Sequence, residues 1–183
     1  MNRVNLDQYE HDPKVRGRSI LIDVLWNLVQ FLCISSLQPS SSLRILFLRL
    51  FGAKVGQGVV IKPFVRIKYP WKLQIGDHSW IGESVCIDNL DNVIIGNNCC
   101  LSQLVYICTG NHDWKSSRFD LKHEPVIIDN SAWLCARSTV APGIRVGEGA
   151  VLAIGSVATH DLDAWTIYAG NPAQPVKRRE IKN

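Results

Sequence analysis

The chain lacks the cysteine and histidine spacings typical of metal and redox sites, and it lacks the long basic run typical of nucleic-acid sites. Its six cysteines form no C-x-x-C pair, and no two of its five histidines stand in an H-x-x-x-x-H arrangement. These absences argue against a zinc site. The formal net charge of +4 comes without a long basic run, since the densest cluster is only Lys177, Arg178 and Arg179. Nucleic acid usually needs a broader basic stripe, so we expect neither a metal nor a nucleic-acid partner.

A long uninterrupted apolar run is also missing. The most apolar stretch, residues 20–37, contains Asp23, Asn27 and Gln30. Because a carboxylate at the centre of a bilayer costs about 3 kcal/mol on insertion scales, this stretch is not expected to span a membrane. Residues 19–51 predict two helices instead. These helices either pack on the coil or on a neighbouring subunit, or make peripheral contact with a membrane interface, and these alternatives stay open.

Features of a secreted protein are absent as well. Residues 1–18 are polar and charged and show no signal peptide, and the cysteines are most simply interpreted as reduced thiols. We therefore expect a cytoplasmic protein. Peripheral attachment to the inner membrane is the alternative that the apolar segment allows.

What the chain does contain is a repeat of six residues. The repeated side chains are aliphatic: Val55, Ile61, Ile67, Ile75, Ile81, Ile87, Ile95, Leu101, Ile107, Ile128, Leu134, Val140, Val146 and Leu152. The position four residues after each is mostly small or aliphatic. This pattern is typical of a parallel β-helix, in which three hexapeptides form one coil and the aliphatic side chains stack in a column. A sandwich of alternating strands would show a period of two alone.

The starts of the coils divide the chain. Coils open at Val55, Ile75, Ile95, Ile128 and Val146, and the coil that opens at Ile95 is too long by about fifteen residues. We therefore predict that residues 1–54 form an N-terminal polar segment with apolar helices. Residues 55–157 form the β-helix, with a loop that projects at about 108–125, and residues 158–183 form a tail that closes the coil.

The projecting loop contains the candidate catalytic residue. Residues 108–114 read Cys-Thr-Gly-Asn-His-Asp-Trp, and loops held by a rigid scaffold often carry function. His112 can act as a general base near neutral pH, although a surface histidine in an insertion would look the same. Cys108 is an alternative as a nucleophile, but no activating pattern lies beside it in the sequence.

Together the hexapeptide repeat, this loop and residues 169–173 (Ala-Gly-Asn-Pro-Ala) resemble the hexapeptide-repeat O-acetyltransferases. Residues 50–54 (Leu-Phe-Gly-Ala-Lys), 69–73 (Tyr-Pro-Trp-Lys-Leu) and 108–113 resemble the colanic acid biosynthesis acetyltransferases in particular. The resemblance covers nearly the whole chain beyond about residue 18. It implies a left-handed parallel β-helix and a homotrimer, with an active site between adjacent subunits. Handedness comes from the resemblance alone, because parallel crossovers are usually right-handed.

The resemblance also implies roles for individual residues. His112 matches the catalytic histidine, which would take the proton from a sugar hydroxyl as that oxygen attacks the thioester of acetyl-CoA. The positions matched to acetyl-CoA binding are Ala136, Ile154, Thr159, Lys177 and Arg178, and those near acceptor positions are Glu83, Asp88 and Asn111. His160 stands where the family has a lysine, which puts one phosphate or adenine contact in doubt.

The expected function is acetyl transfer from acetyl-CoA to a sugar hydroxyl in exopolysaccharide biosynthesis. The same chemistry on a small free acceptor, such as a mono- or disaccharide, a serine or a drug, is the first alternative. A non-catalytic β-helix scaffold is the second, and His112 together with the Gly-Asn-Pro-Ala tail argues against it.

Overall fold

The computed structural model describes residues 3–10, 12–37 and 40–182. Short 3₁₀ helices at Leu6–Gln8 and Pro13–Arg16 precede helix α1 (Ile20–Val29), which continues into a π-helical turn at Gln30–Ile34. Helix α2 (Ser41–Leu50) leads into the coil, which contains one further 3₁₀ helix at Pro70–Lys72. The side chains of Ser19 and Ser40 cap α1 and α2 by accepting from backbone N–H groups, as the serine positions favour.

Three parallel sheets form the sides of a prism, and the chain visits them in the order A, B, C in every coil. Sheet A contains β1 (Lys54–Val55), β4 (Leu73–Ile75), β7 (Val93–Ile95), β12 (Val126–Ile128) and β15 (Arg145–Val146). Sheet B contains β2 (Val60–Ile61), β5 (Trp80–Ile81), β8 (Cys100–Leu101), β13 (Trp133–Leu134), β16 (Val151–Leu152), β18 (Thr166–Gly170) and the antiparallel β19 (Ala173–Arg178). Sheet C contains β3 (Arg66–Ile67), β6 (Cys86–Asp88), β9 (Tyr106–Cys108), β14 (Thr139–Val140) and β17 (Val157–Ala158). We call the corners between them the AB edge, the BC edge and the CA edge.

The core is the column that the six-residue repeat predicts. Thirteen of the fourteen repeated aliphatic side chains are buried, and Val55 in the first coil is partly exposed and packs against them. The parallel register places each above its counterpart, as in Ile81 against Leu101. Eleven of the fourteen positions four residues later are buried too, including Cys99, where burial raises the pKa of the thiol. The predicted parallel β-helix is therefore confirmed.

A ladder of side-chain hydrogen bonds locks the coils in register along the AB edge. The Oδ1 atoms of Asp77, Asn97 and Asn130 accept from the backbone N–H groups of Gln57, Asp77 and Asn97, at 2.7, 2.7 and 2.8 Å. Each bond joins one coil to the next. The Asp and Asn residues of this edge thus stack the coils as well as turn the chain.

Gly76 on this edge is needed for space. A Cβ on Gly76 would lie 2.4 Å from Oδ1 of Asn97, closer than any real contact allows. The left-handed backbone conformation occurs two residues after Gly76 and Gly96, at His78 (φ 56°) and Asn98 (φ 55°). The ladder therefore requires a residue without a side chain at position 76.

Helix α1 covers the open end of sheet C in the first coil. The indole N–H of Trp26 donates to the carbonyl of Ile67 at 2.8 Å, and Oε1 of Gln30 accepts from the N–H of Ile67 at 2.6 Å. The hydroxyl of Ser35 donates to the carbonyl of Val65 at 2.9 Å. An uncovered edge would leave these backbone groups unpaired and open to aggregation.

Helix α2 covers the open end of sheet B in the same way. Arg44 is 0% exposed, and its guanidinium donates to the carbonyls of Ile61 (3.3 Å), Ile34 (3.2 Å) and Ser36 (3.1 Å). Burial lowers the pKa of Arg44. The hydroxyl of Ser41 accepts from the N–H of Ile61 at 2.8 Å. Both helices thus pack on the coil, and none of the helices in the described residues has the length and hydropathy needed to cross a bilayer.

The last coil is closed by the C-terminal hairpin of β18 and β19. The Arg179 guanidinium donates to the carbonyls of Ser131 (2.8 Å) and Gly149 (3.0 Å), which fastens the chain after β19 to the AB edge. Lys177 and Arg178, just before it, are exposed.

Candidate active site

The chain leaves the prism at the CA edge after β9 and forms a hairpin. Strand β10 (Gly110–His112) pairs antiparallel with β11 (Leu121–His123), with Gly110 opposite His123 and His112 opposite Leu121. The hairpin is fixed to the previous coil at its root, because the buried Thr109 hydroxyl donates to the carbonyl of Asp88 and accepts from the N–H of Asp91. Sheet A resumes at Val126.

The imidazole of His112 is held in one tautomer. Its Nδ1 lies 2.7 Å from the carbonyl oxygen of Phe119, and because a carbonyl can only accept, Nδ1 carries the hydrogen. In the neutral ring Nε2 is then unprotonated and free to accept a proton. The ring stacks on Phe119 with centroids 3.9 Å apart, and Tyr9 packs edge-on at 5.5 Å. His112 is half-buried, and its orientation is set on both faces of the ring.

A cavity of about 320 Å³ opens beside His112 and is lined by Asn111, Asp113, Trp114, Lys115 and Lys122 as well. The Nζ atom of Lys122 lies 2.9 Å from the carboxylate of Asp113, and the bonds from Lys122 and from the N–H of Lys115 lower the pKa of Asp113. The Trp114 side chain is 80% exposed. An acceptor in this cavity would therefore meet a planar apolar surface and amide, carboxylate and ammonium groups on residues next to His112.

Asp88 lies at the end of β6, next to the CA edge, and lines a second cavity of about 390 Å³ between α1 and sheet C. Its carboxylate pairs with Lys68 at 3.0 Å and accepts from the Tyr106 hydroxyl at 3.3 Å. Burial, Cys108 and Asp88 raise the pKa of Tyr106. The Cys108 thiol itself donates to the carbonyl of Gly110 at 3.0 Å.

The other residues expected to contact acetyl-CoA or the acceptor lie in three places: the BC edge, the CA edge and strand β19. Glu83, Ala136 and Ile154 lie on the BC edge in three different coils, with the N–H of Gly155 donating to the carbonyl of Ala136 at 3.0 Å. Ile154 is 72% exposed. Within one protomer, this edge is a different corner of the prism from the CA edge that carries His112.

Thr159 lies on the CA edge, and its hydroxyl is 3.0 Å from Nδ1 of His160. Lys177 and Arg178 lie on β19, the outermost strand of sheet B. One protomer thus brings His112 and Asn111 together but does not bring them to the BC edge or to β19.

The hairpin contains a second histidine to which the sequence assigns no role. Nδ1 of His123 lies 2.8 Å from Oδ2 of Asp91. Burial of Asp91 acts to raise the pKa of its carboxyl, but the His123 bond, the N–H of Asn92 and the charge of Lys72 together lower it. The sequence could have indicated this contact between His123 and Asp91 only through the register of the hairpin, which sets His123 opposite Gly110.

Metal-binding side chains are not clustered here: in the described part of the chain no three or more His, Cys, Asp or Glu residues are arranged to hold a metal ion.

No protein-family model matches the chain. Individual relatives do match. The chain is 38% identical over 163 residues to WcaF of Escherichia coli K12, which is assigned as a colanic acid biosynthesis acetyltransferase, and the match covers 89% of this chain and 90% of WcaF.

Solved structures share the fold. The hexapeptide-repeat acetyltransferase VCA0836 of Vibrio cholerae, in complex with acetyl coenzyme A, has a TM-score of 0.82 at 19% identity over 96% of both chains. A galactoside acetyltransferase in complex with coenzyme A has a TM-score of 0.81 at 18% identity, over 93% of this chain and 85% of that one. These two solved structures and the three stacked sheets confirm the predicted left-handed parallel β-helix with an N-terminal helical segment and a projecting loop. By its likeness to WcaF along almost its whole length, the chain belongs to the colanic acid biosynthesis acetyltransferases, a family of hexapeptide-repeat acetyltransferases.

Proposed function

We propose that the protein transfers an acetyl group from acetyl-CoA to a sugar hydroxyl of an exopolysaccharide or its precursor, with His112 as general base. The observation that carries this proposal is the hydrogen bond from Nδ1 of His112 to the Phe119 carbonyl, which leaves Nε2 unprotonated on a residue that lines an open cavity. A sugar hydroxyl barely ionises near neutral pH, so its attack on a thioester needs a base within hydrogen-bond reach.

In the proposed reaction, Nε2 of His112 accepts the hydroxyl proton while the sugar oxygen bonds to the thioester carbonyl carbon. The carbon–sulfur bond then breaks, and the proton on Nε2 passes to the departing thiolate. The Phe119 carbonyl keeps its bond from Nδ1 throughout and stabilises the imidazolium that forms in between. A general base of this kind contributes about 10²–10⁴ to the rate.

We propose a homotrimer in which each active site lies between two subunits. The support is geometric: His112 lies on the CA edge, whereas Ala136 and Ile154 lie on the BC edge. A closed three-fold assembly of prisms sets one edge of each subunit against a different edge of its neighbour. The hairpin of one subunit would then face the BC edge of the next.

The BC edge fits the pantetheine arm of acetyl-CoA. The position that a Cβ on Gly155 would occupy has no heavy atom within 4 Å, so the edge is open beside Ala136 and Ile154. We assign the phosphates to the exposed Lys177 and Arg178, as a point charge and a planar fork of donors, and the adenosine side to Thr159. For the acceptor we retain Glu83, Asp88 and Asn111, the last beside His112 in the cavity.

The likeness to WcaF favours an exopolysaccharide acceptor over a small free one. We propose a cytoplasmic enzyme, with peripheral attachment to the inner membrane as the alternative. A chloramphenicol acetyltransferase of Klebsiella aerogenes is also 34% identical, but over only 50% of this chain. Small acceptors therefore remain the second candidate, and an acceptor panel separates the two.

The test is release of the CoA thiol from acetyl-CoA in the presence of sugars, oligosaccharides and small alcohols. His112→Asn retains an N–H that can reach the Phe119 carbonyl but has no base, so we expect kcat to fall by about 10²–10⁴ while acetyl-CoA affinity is unchanged. His78→Asn is the matched control, because it lies on the AB edge at a left-handed position that asparagine tolerates. Full turnover by His112→Asn would refute the assignment, and an absence of thiol release with every acceptor in the panel would favour a scaffold role.

A further inference from the structure

Helix α1 and the π-helical turn after it expose a continuous apolar face. Its side chains recur at helical spacing: Ile20, Leu21, Val24, Leu25, Leu28, Phe31 and Leu32. Leu21 is 78% exposed and Phe31 is 74% exposed. We call this set the outer face of α1. A contiguous apolar surface of this kind on a folded protein marks an interaction site.

The outer face points away from the coil, because the opposite side of the same helix is bound to it. Trp26 and Ile34 are fully buried there, and Gln30 bonds to the backbone of the first coil. The helix is therefore inverted relative to an ordinary surface helix, which turns its polar side to water. A rotation that buried the outer face would break the hydrogen bonds that cover the open end of sheet C.

Exposed basic residues stand next to this face. Lys14 and Arg18 are exposed just before the N-terminus of α1. Asp23, the acidic residue within α1, is already paired with Arg16 at 2.9 Å. Apolar side chains flanked by exposed basic groups are the combination that an anionic lipid surface attracts.

We infer that the outer face of α1 binds the surface of an anionic lipid bilayer, with the helix lying in the plane of the interface. This inference deepens the proposed function, since it would hold the enzyme where a lipid-linked saccharide is presented. A second copy of the chain is a poorer occupant, because a two-fold contact through this face would bring the exposed Lys14 and Arg18 of both copies together, and the proposed trimer contacts its neighbours through the CA and BC edges instead.

The experiment is flotation of the 183-residue protein with vesicles of phosphatidylcholine alone, or of phosphatidylcholine with phosphatidylglycerol, at low and high salt. We expect flotation with the anionic vesicles and a loss of it at high salt. The double variant Leu21→Ser/Leu25→Ser should bind at least about tenfold more weakly, since both exposed leucines lose their apolar contact with lipid. Lys14→Gln/Arg18→Gln should bind about tenfold more weakly to the anionic vesicles only.

The matched control is Ile94→Ser/Ile181→Ser, which removes two exposed isoleucines from sheet A and the C-terminal segment and should float as wild type. Melting curves of all variants report whether they fold. Absence of flotation with anionic vesicles, or flotation of Leu21→Ser/Leu25→Ser equal to wild type, overturns the inference. So does lipid-free self-association that the leucine substitutions abolish, because a second copy would then occupy the face.

Turnover of a soluble sugar in the same preparations separates the two proposals. Flotation that is lost in the leucine variant while turnover on the soluble sugar is retained supports both. Flotation without turnover on any acceptor contradicts the proposed function and leaves the lipid contact standing.

Discussion

An active site shared between subunits makes a quantitative prediction for mixed trimers. His112→Asn removes the base from the CA edge, and Ile154→Glu places a carboxylate on the BC edge, where we assign the acetyl-CoA groove. Ile154 is largely exposed and its coil keeps its backbone bonds, so Ile154→Glu should fold normally. Each variant alone should be nearly inactive.

The magnitude follows from the two edges. If every site takes its hairpin from one subunit and its groove from the next, a cyclic trimer of the two variants contains one neighbouring pair in which both halves are intact. This holds for either stoichiometry, two to one or one to two. Trimers that contain both variants should therefore recover about one third of the wild-type kcat.

The assay is co-expression of the variants with different affinity tags, purification on both tags in sequence, and thiol release from acetyl-CoA. The doubly purified trimer of Ile154→Glu carrying both tags, with no His112→Asn subunit, is the control and should stay inactive. Doubly purified mixed trimers that are no more active than the single variants would refute the shared site. A site within one protomer predicts that result, because every subunit would then lack one half.

Three further predictions concern the fold. Trp26→Phe removes the indole donor to a first-coil carbonyl and should lower the free energy of unfolding by about 1–3 kcal/mol in calorimetry, whereas the exposed Trp114→Phe should change it by less than about 0.5 kcal/mol. Gly76→Ala should lower the melting temperature more than Gly155→Ala, whose new methyl meets open space but costs about 1 kcal/mol for its left-handed backbone. Because the folded-state pKa of Asp91 is lowered, its charge contributes stability above about pH 4 that is lost as acid protonates it. In urea, Asp91→Asn should therefore be less stable than wild type at neutral pH and converge with it as the pH falls below about 4. Equal effects of the two Trp or the two Gly substitutions, or a pH-independent gap for Asp91→Asn, would contradict these expectations.

The stacked column could be predicted from the sequence because its physical cause repeats. Every coil must bury the same inward positions, so an aliphatic residue returns every six positions, as at Ile95, Leu101 and Ile107. Helices α1 and α2, which cover the open end of the coil, have no such repeat. Arg44 lies among aliphatic residues of α2 and would be expected in solvent, yet it is fully buried. Its guanidinium bonds to backbone carbonyls of the first coil and of the segment after α1, and no side-chain pattern records those carbonyls.

In the candidate site, too, features with a side-chain pattern could be predicted, and features that depend on backbone groups could not. The loop and its histidine could be identified from the thirty-three residues between two coil starts and from the resemblance to a family. Phe119 could not, because it acts on His112 through its backbone carbonyl, which any residue possesses. The pairing of His123 with Asp91, thirty-two residues apart, arises from the hairpin register and the coil beneath it together. The contact could therefore be predicted only once both the hairpin register and the position of the coil were known.

The two faces of α1 are subject to different physical requirements. The side that meets the coil needs polar atoms, because the first-coil backbone presents free N–H and C=O groups, and Gln30 and the indole of Trp26 supply them. The outer face has no such requirement. Lysine or glutamate at positions 21, 24, 25 and 28 would leave every covering hydrogen bond in place and would favour a helix exposed to water. The apolar residues found there therefore cannot be explained by the stability of the protomer, and they require a partner outside it.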